Sequence, residues 1–210
     1  MTQSGSENVD EALTSTRAFR RKLDLTRPVE RDVLEECLNV ATHAPTGSNR
    51  QAWQFVVIDD HDTKNAVAQF YRKGFADNIA GRTPTPDQRV ELESAAYLAE
   101  HLHEVPALVL ACQRGRLPED ASAKQLAGFY GSVYPAVWSF MVALRSRSIG
   151  SSITTAHLTY EREVAEILGI PYDEVTQVAL LPVGYLKPVA GGRSRRKPAP
   201  LHWNSWGSDC

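Results

Sequence analysis

Cysteine is scarce in this 210-residue chain, with three in all, and the three are far apart. Cys37, Cys112 and Cys210 fall in no CxxC or Cys/His spacing, which excludes a zinc ribbon or a disulfide scaffold. Cys37 and Cys112 sit inside apolar runs and read as small core residues, while Cys210 reads as an exposed end. An excess of one charge is also missing. Lys and Arg total 23 against 25 Asp and Glu, so broad electrostatic capture of nucleic acid or anionic membrane is not expected. No apolar signal region opens the chain and no run reads as a bilayer span, so a cytoplasmic location without a membrane partner is expected. There is no GxSxG elbow, GxxxxGK[ST] loop or GxGxxG turn, and "EHLHE" puts His101 and His103 on different helix faces, a poor metal geometry. His157 could border a site but reads more simply as a packed or exposed residue.

What is present is periodic structure enough for one domain. Residues 1–14 read as a flexible, frayed segment and 15–210 as a single unit. Helical spacing of Val33, Leu34, Cys37, Leu38 and Ala41 follows Pro28. Further helices are expected over 62–77, 87–104 and 130–150, and from Tyr160, with Thr159 as its cap. "WQFVVID", "ALVLAC" and "TQVALLPVGYL" read as buried strands, and "RGRLPEDASAKQ" as a polar connection or lid. Helices outnumber strands, which fits an α+β layered domain. The helix of "YGSVYPAVWSFMVALRSRSIG" is apolar on almost every side and must be covered all round, in part by a second subunit. The last twenty or so residues lack periodicity yet carry Trp203 and Trp206, so this arm is expected to pack on a surface, the partner's included.

Two basic clusters lie at opposite ends of the chain: "STRAFRRKL" with Arg17, Arg20 and Arg21, and "GGRSRRKP" with Arg193, Arg195 and Arg196. Arginine forks match phosphate oxygens, so two clusters meeting at one dianion would make an anchor. Between a helix and a strand, "HAPTGSNRQAWQFVVIDD" holds a run of small hydrogen-bonding residues, longer than a plain connector needs.

Taken in order, these segments resemble the FMN-dependent nitroreductase family. An arginine-rich start, "RPV" before the first helix, and a loop and strand of the form A-P-S-x-x-N-x-Q-P-W-x-F-V-V come first. The long apolar helix running into a glycine turn and "GIPYDEVTQVALLPVGYLKP" with the basic tail and "HWNSWG" complete the match. Thr46 replaces the usual serine and Ala52 a proline. A valine with Trp138-Ser139 stands where many members have Gln-Asn, and "SIGSS" replaces G-L-G-T.

The resemblance implies a nitroreductase-like α-β-α layered fold, with a central, mostly antiparallel sheet, assembled as an intertwined homodimer whose arm, about 188–210, packs on the other subunit. It implies FMN as cofactor, with NADH or NADPH reducing it before a nitroaromatic, quinone or similar acceptor takes the electrons by a ping-pong mechanism. Relatives with a specialised dehydrogenase or dehalogenase substrate, or a flavin-binding dimer without turnover, are the alternatives. By position, Pro45, Thr46, Gly47, Ser48, Asn49 and Gln51 would line the cofactor. Arg17, Arg20 or Arg21, with Ala18 beside them, would bind its phosphate together with Arg195 or Arg196. Gly150, Ser151 and Ser152 would lie near the ring, and Pro135 and Ala136 would reach it across the dimer interface. Chemistry at the flavin requires no catalytic triad and no metal.

Overall fold

The three strands expected from the β-branched runs are joined, among the described residues, by a short fourth at Ile149–Ser151 to form one four-stranded sheet. The computed structural model describes residues 3–188 and 196–207. Strands β1 (Trp53–Ile58), β2 (Ala107–Arg114), β3 (Ile149–Ser151) and β4 (Val175–Tyr185) lie in the order β1-β2-β4-β3, every pair antiparallel. β2 and β4 occupy the centre and are buried along nearly their whole length, as strands covered on both faces must be. In β2 the alternation separates two cores. Ala107, Val109 and Ala111 face one cluster, and Leu108, Leu110 and Cys112 face the other. Opposite Ala111 and Cys112 the register slips, because Ala111 pairs with Ala179 and Cys112 with Gln177. Val178 is the extra residue, and it joins Ala179 in the same core cluster.

Helices cover both faces, giving the expected α+β layering. On one side α2 (Arg31–Ala41) and α5 (Ala123–Arg145) enclose Leu34, Cys37, Val133, Ala136, Val137 and Phe140. On the other, α3 (His61–Ile79), α4 (Pro86–His101) and α6 (Glu161–Leu168) enclose Val67, Tyr71, Leu98 and Val164. Cys37 and Cys112 are core residues as read, and burial pushes the Cys112 thiol up to about 12. Gly74 of α3 meets a short 3₁₀ helix, Ala156–Tyr160, so closely that a Cβ there would collide with the Ala156 carbonyl.

The N-terminal segment forms α1 (Gln3–Ser15), whose Val9, Ala12 and Leu13 share one face and which packs on α5. Several local expectations are corrected. α5 begins at Ala123 rather than at residue 130, because Ser122 and Gln125 form a capping box with Gln125 Oε1 accepting from the Ser122 N–H at 3.0 Å. The stretch read as a polar connection or lid is held at Arg116, which forks onto Glu161 at 2.9 and 3.0 Å and donates to the carbonyls of Tyr172 and Val175. The residue flanking α6 is Tyr160, since Thr159 belongs to the 3₁₀ helix and makes no cap. α5 meets the length and hydropathy of a membrane span, although no such run was expected. It is instead the central helix of one core cluster, with Val133, Val137, Phe140 and Leu144 fully buried.

Candidate functional site

The arginine-rich start and the α5–β3 turn, far apart in sequence, meet at the free edge of β3. Ala18 forms a parallel bridge with Ser151, and the Phe19 N–H donates to the Ser151 carbonyl at 2.9 Å. This meeting depends on Gly150. A Cβ there would run into the Leu186 side chain and stand 3.0 Å from the Phe19 Cβ. Phe19 is buried, and the guanidinium of Arg17 stands 5.2 Å from its ring centre. Next to this seam, Ser151 is 3% exposed and Ser152 is fully buried, with the Ser152 hydroxyl oxygen lacking any hydrogen-bond partner. A buried hydroxyl without a partner is uncommon and calls for a physical reason.

The loop between α2 and β1 forms a second cluster on α5. Ser48, Asn49 and Gln51 hold left-handed φ values of 54°, 52° and 46°. Three non-glycine residues in that region within four positions make a strained loop, a feature that gathers at binding sites. Its shape is kept by internal bonds: the Gln51 N–H donates to Thr46 Oγ1 at 3.3 Å, and Gln51 Nε2 donates to Asn49 Oδ1 at 2.8 Å. The loop is pinned to α5 where the Gly47 N–H donates to Ser132 Oγ at 3.1 Å, while the Ser132 hydroxyl donates to the Gly128 carbonyl at 2.8 Å. Pro135 lies half-buried one turn along and, having no N–H, leaves the Gly131 carbonyl without its helical donor. Pro45, Ser48, Asn49 and Gln51 are exposed, so the cluster offers its polar groups outward.

The structure thus joins Arg17 and Ala18 to Gly150, Ser151 and Ser152, and joins Pro45–Gln51 to α5 near Pro135. Other sequence candidates stand elsewhere. Ala136 is fully buried within the core, its side chain against other core residues. Arg20 turns to α4 and pairs with Glu91 at 3.2 Å. Arg21 donates to the Glu93 carbonyl at 3.2 Å and stands 5.8 Å from the Tyr97 ring. Arg196 is exposed, and Arg195 lies outside the described residues. Ser132, which anchors the loop, and Phe19, which carries Arg17, were not singled out from sequence. A lone serine in an apolar helix and a phenylalanine between arginines give no local signal of such roles.

The pattern of the Nitroreductase family matches residues 13–185. Similar curated proteins include an iodotyrosine deiodinase of Thermotoga neapolitana (strain ATCC 49049 / DSM 4359 / NBRC 107923 / NS-E), 27% identical over 82% of this chain and 86% of that protein. The iodotyrosine deiodinase of Drosophila melanogaster is 23% identical over 87% of this chain, which spans only 64% of that longer protein. Among solved structures, oxidized iodotyrosine deiodinase bound to FMN and 3-iodo-L-tyrosine has the same fold. It matches with a TM-score of 0.77 and 20% identity, over 94% of this chain and all of that one (100%). With the family pattern running from α1 through β4, the chain belongs to the nitroreductase family.

Proposed function

We propose that the protein is an FMN-dependent oxidoreductase that passes electrons to a planar aromatic acceptor. The observation that carries this reading is the seam at Ala18–Ser151, where an arginine segment meets a glycine-serine strand beside a buried, unpartnered hydroxyl. The residues suit the cofactor: cations for a phosphate, a strained loop with amide and hydroxyl groups turned outward, and a shielded donor at Ser152. Arg17 would hold the phosphate with Arg196, and with Arg195 beyond the described residues. Thr46, Ser48, Asn49 and Gln51 would hold the ribityl side, and Ser151 and Ser152 the ring edge.

FMN, when bound, supplies a reversible two-electron carrier. The chain's own work is positional. The hydroxyl of Ser152 sits where water is excluded, so a hydrogen bond given there is worth more than one at the surface. The 45–51 loop, braced on Ser132, keeps its conformation before any ligand arrives, which lowers the ordering cost of binding.

The working unit in this reading is a homodimer. Leu13, Val40, Trp138 and Val142 line an open, mostly apolar cavity of about 370 Å³ on the outer side of α5. Pairing there would let the loop of one copy complete the arginine–serine seam of the other.

Two acceptor classes fit. Iodotyrosine deiodinases among the relatives support a halogenated phenol, which would lose halide on taking up two electrons and a proton. Family membership supports a nitroaromatic or quinone reduced at the expense of NADH or NADPH. The test is anaerobic and optical. The purified protein should be yellow and contain FMN. After bleaching by dithionite, colour should return with 3-iodotyrosine and release of iodide, or with a nitroaromatic or quinone. Bleaching by NADH or NADPH in place of dithionite identifies the donor. A colourless protein that takes up no added FMN rejects the reading.

A further inference from the structure

We infer that Arg145, at the C-terminal end of α5, is a phosphate-binding residue that works with Arg17 on the terminal phosphate of the flavin. The inference rests on the FMN reading above and adds a residue from a different element. The Arg145 guanidinium stands 5.9 Å from the centre of the Phe19 ring, the ring that also carries Arg17 at 5.2 Å. Two cations are therefore gathered on one buried phenylalanine, at the seam where Phe19 bonds to Ser151.

The neighbouring arginines are accounted for and Arg145 is not. Arg20 pairs with Glu91 and Arg21 with Glu93. Arg147, two positions along, pairs with Glu36 at 3.3 Å and donates to the Ala143 carbonyl at 3.0 Å. Arg145 makes no hydrogen bond or ion pair among the described residues, yet its Nε is buried. An arginine in a last helical turn is favoured by the helix dipole, which explains a cation there but gives Nε no acceptor. A buried N–H without a partner is costly, and like charges sharing a ring repel. A dianion bound by both forks would remove both costs, because guanidinium presents paired donors that match phosphate oxygens. A neutral sugar or ring edge would supply acceptors without offsetting the charge.

The experiment compares two flavins that differ only in that phosphate. Apoprotein of the full chain, as wild type, Arg145→Ala, Arg145→Lys and the remote control Arg72→Ala, is titrated with FMN and with riboflavin by flavin fluorescence, with thermal melts to confirm folding. Arg145→Ala should weaken FMN binding by about tenfold to a hundredfold while leaving riboflavin affinity unchanged. Arg145→Lys should recover part of the loss, since the charge remains but the fork does not. Arg72, whose guanidinium bonds to the carbonyls of Ala99 and Glu100, should leave both affinities as in wild type. Unchanged FMN affinity in folded Arg145→Ala overturns the inference and leaves the FMN reading standing. Equal weakening of both flavins also overturns it, since Arg145 would then act through packing on Phe19. If wild type binds neither flavin, the FMN reading falls and the inference with it.

Discussion

His157 occupies a position where a single proton decides stability. It is fully buried, neither ring nitrogen has a partner, and burial lowers its pKa from 6.5 to about 3. The folded protein therefore keeps this ring neutral at every pH above about 3, whereas an unfolded chain protonates it below about 6.5. The unfolded state binds more protons between those values, so the stability present above pH 6.5 is lost progressively as pH falls toward 3. The slope from this one group reaches at most about 1.4 kcal/mol per pH unit. His157→Leu should unfold in urea with a midpoint that declines less between pH 7 and pH 4.5 than that of wild type. Parallel declines in the two proteins would mean the folded ring takes up its proton as readily as the unfolded one. The sequence allowed a packed histidine here but could not choose it. His157 follows Ala156, whose carbonyl meets Gly74 of α3, a contact between two elements with no trace in either one's pattern.

At the scale of elements, what could be read depended on whether an element's reason to exist was local. β1, β2, β4, α2, α3 and α6 announce themselves by apolar periodicity, and the fold class follows from them. β3 was not legible, because "IGS" is a strand only through its pairing with Tyr185, Gly184 and Val183 of β4. The first two turns of α5 were missed for the opposite reason. Their Ser122–Gln125 cap is a readable sign, but it lies in a polar run that resembles a loop. The site divides in the same way. The 45–51 loop stands out by composition, whereas the choice among arginines rests on Glu91, Glu93 and Tyr97 of α4 drawing Arg20 and Arg21 aside. The seam between the N-terminal segment and β3 makes its own prediction. Gly150→Val puts atoms where the Leu186 side chain and Phe19 already stand, and overpacking of this kind costs about 1–3 kcal/mol. Relief by separation would break the Phe19–Ser151 hydrogen bond and move Arg17 away from Ser152. Urea titration should show that loss of stability, and flavin retained through gel filtration should fall with it. Full flavin retention in the variant would mean that the seam does not position the cofactor.

At the scale of the whole molecule, the described residues leave large apolar side chains exposed. Leu13, Val40 and Trp138 are 42%, 44% and 39% exposed around the cavity on α5, and Trp203 and Trp206 are 83% and 90% exposed along the tail. Burying such surface contributes about 25 cal/mol per Å², a stable interface removes roughly 1,200–2,000 Å² in total, and the proposed symmetric pairing would draw on the outer face of α5 and the tail tryptophans of both copies. Under the proposed arrangement, the loop braced on Ser132 and the seam at Ser151 belong to different subunits at each site, so assembly and flavin binding are one equilibrium. The native mass should accordingly be about twice 23.2 kDa. Trp138→Arg places a charge in the cavity and should shift the protein toward monomer on analytical ultracentrifugation, with flavin content falling in proportion to the dimer lost. Adding FMN to the variant should draw it back toward dimer by mass action, because flavin would bind only the paired form. A Trp138→Arg protein that remains dimeric with full flavin content would remove the outer face of α5 from the interface. A monomer that still holds FMN as tightly as wild type would place both halves of the site within one chain, and the tryptophan arm would then need another surface to cover.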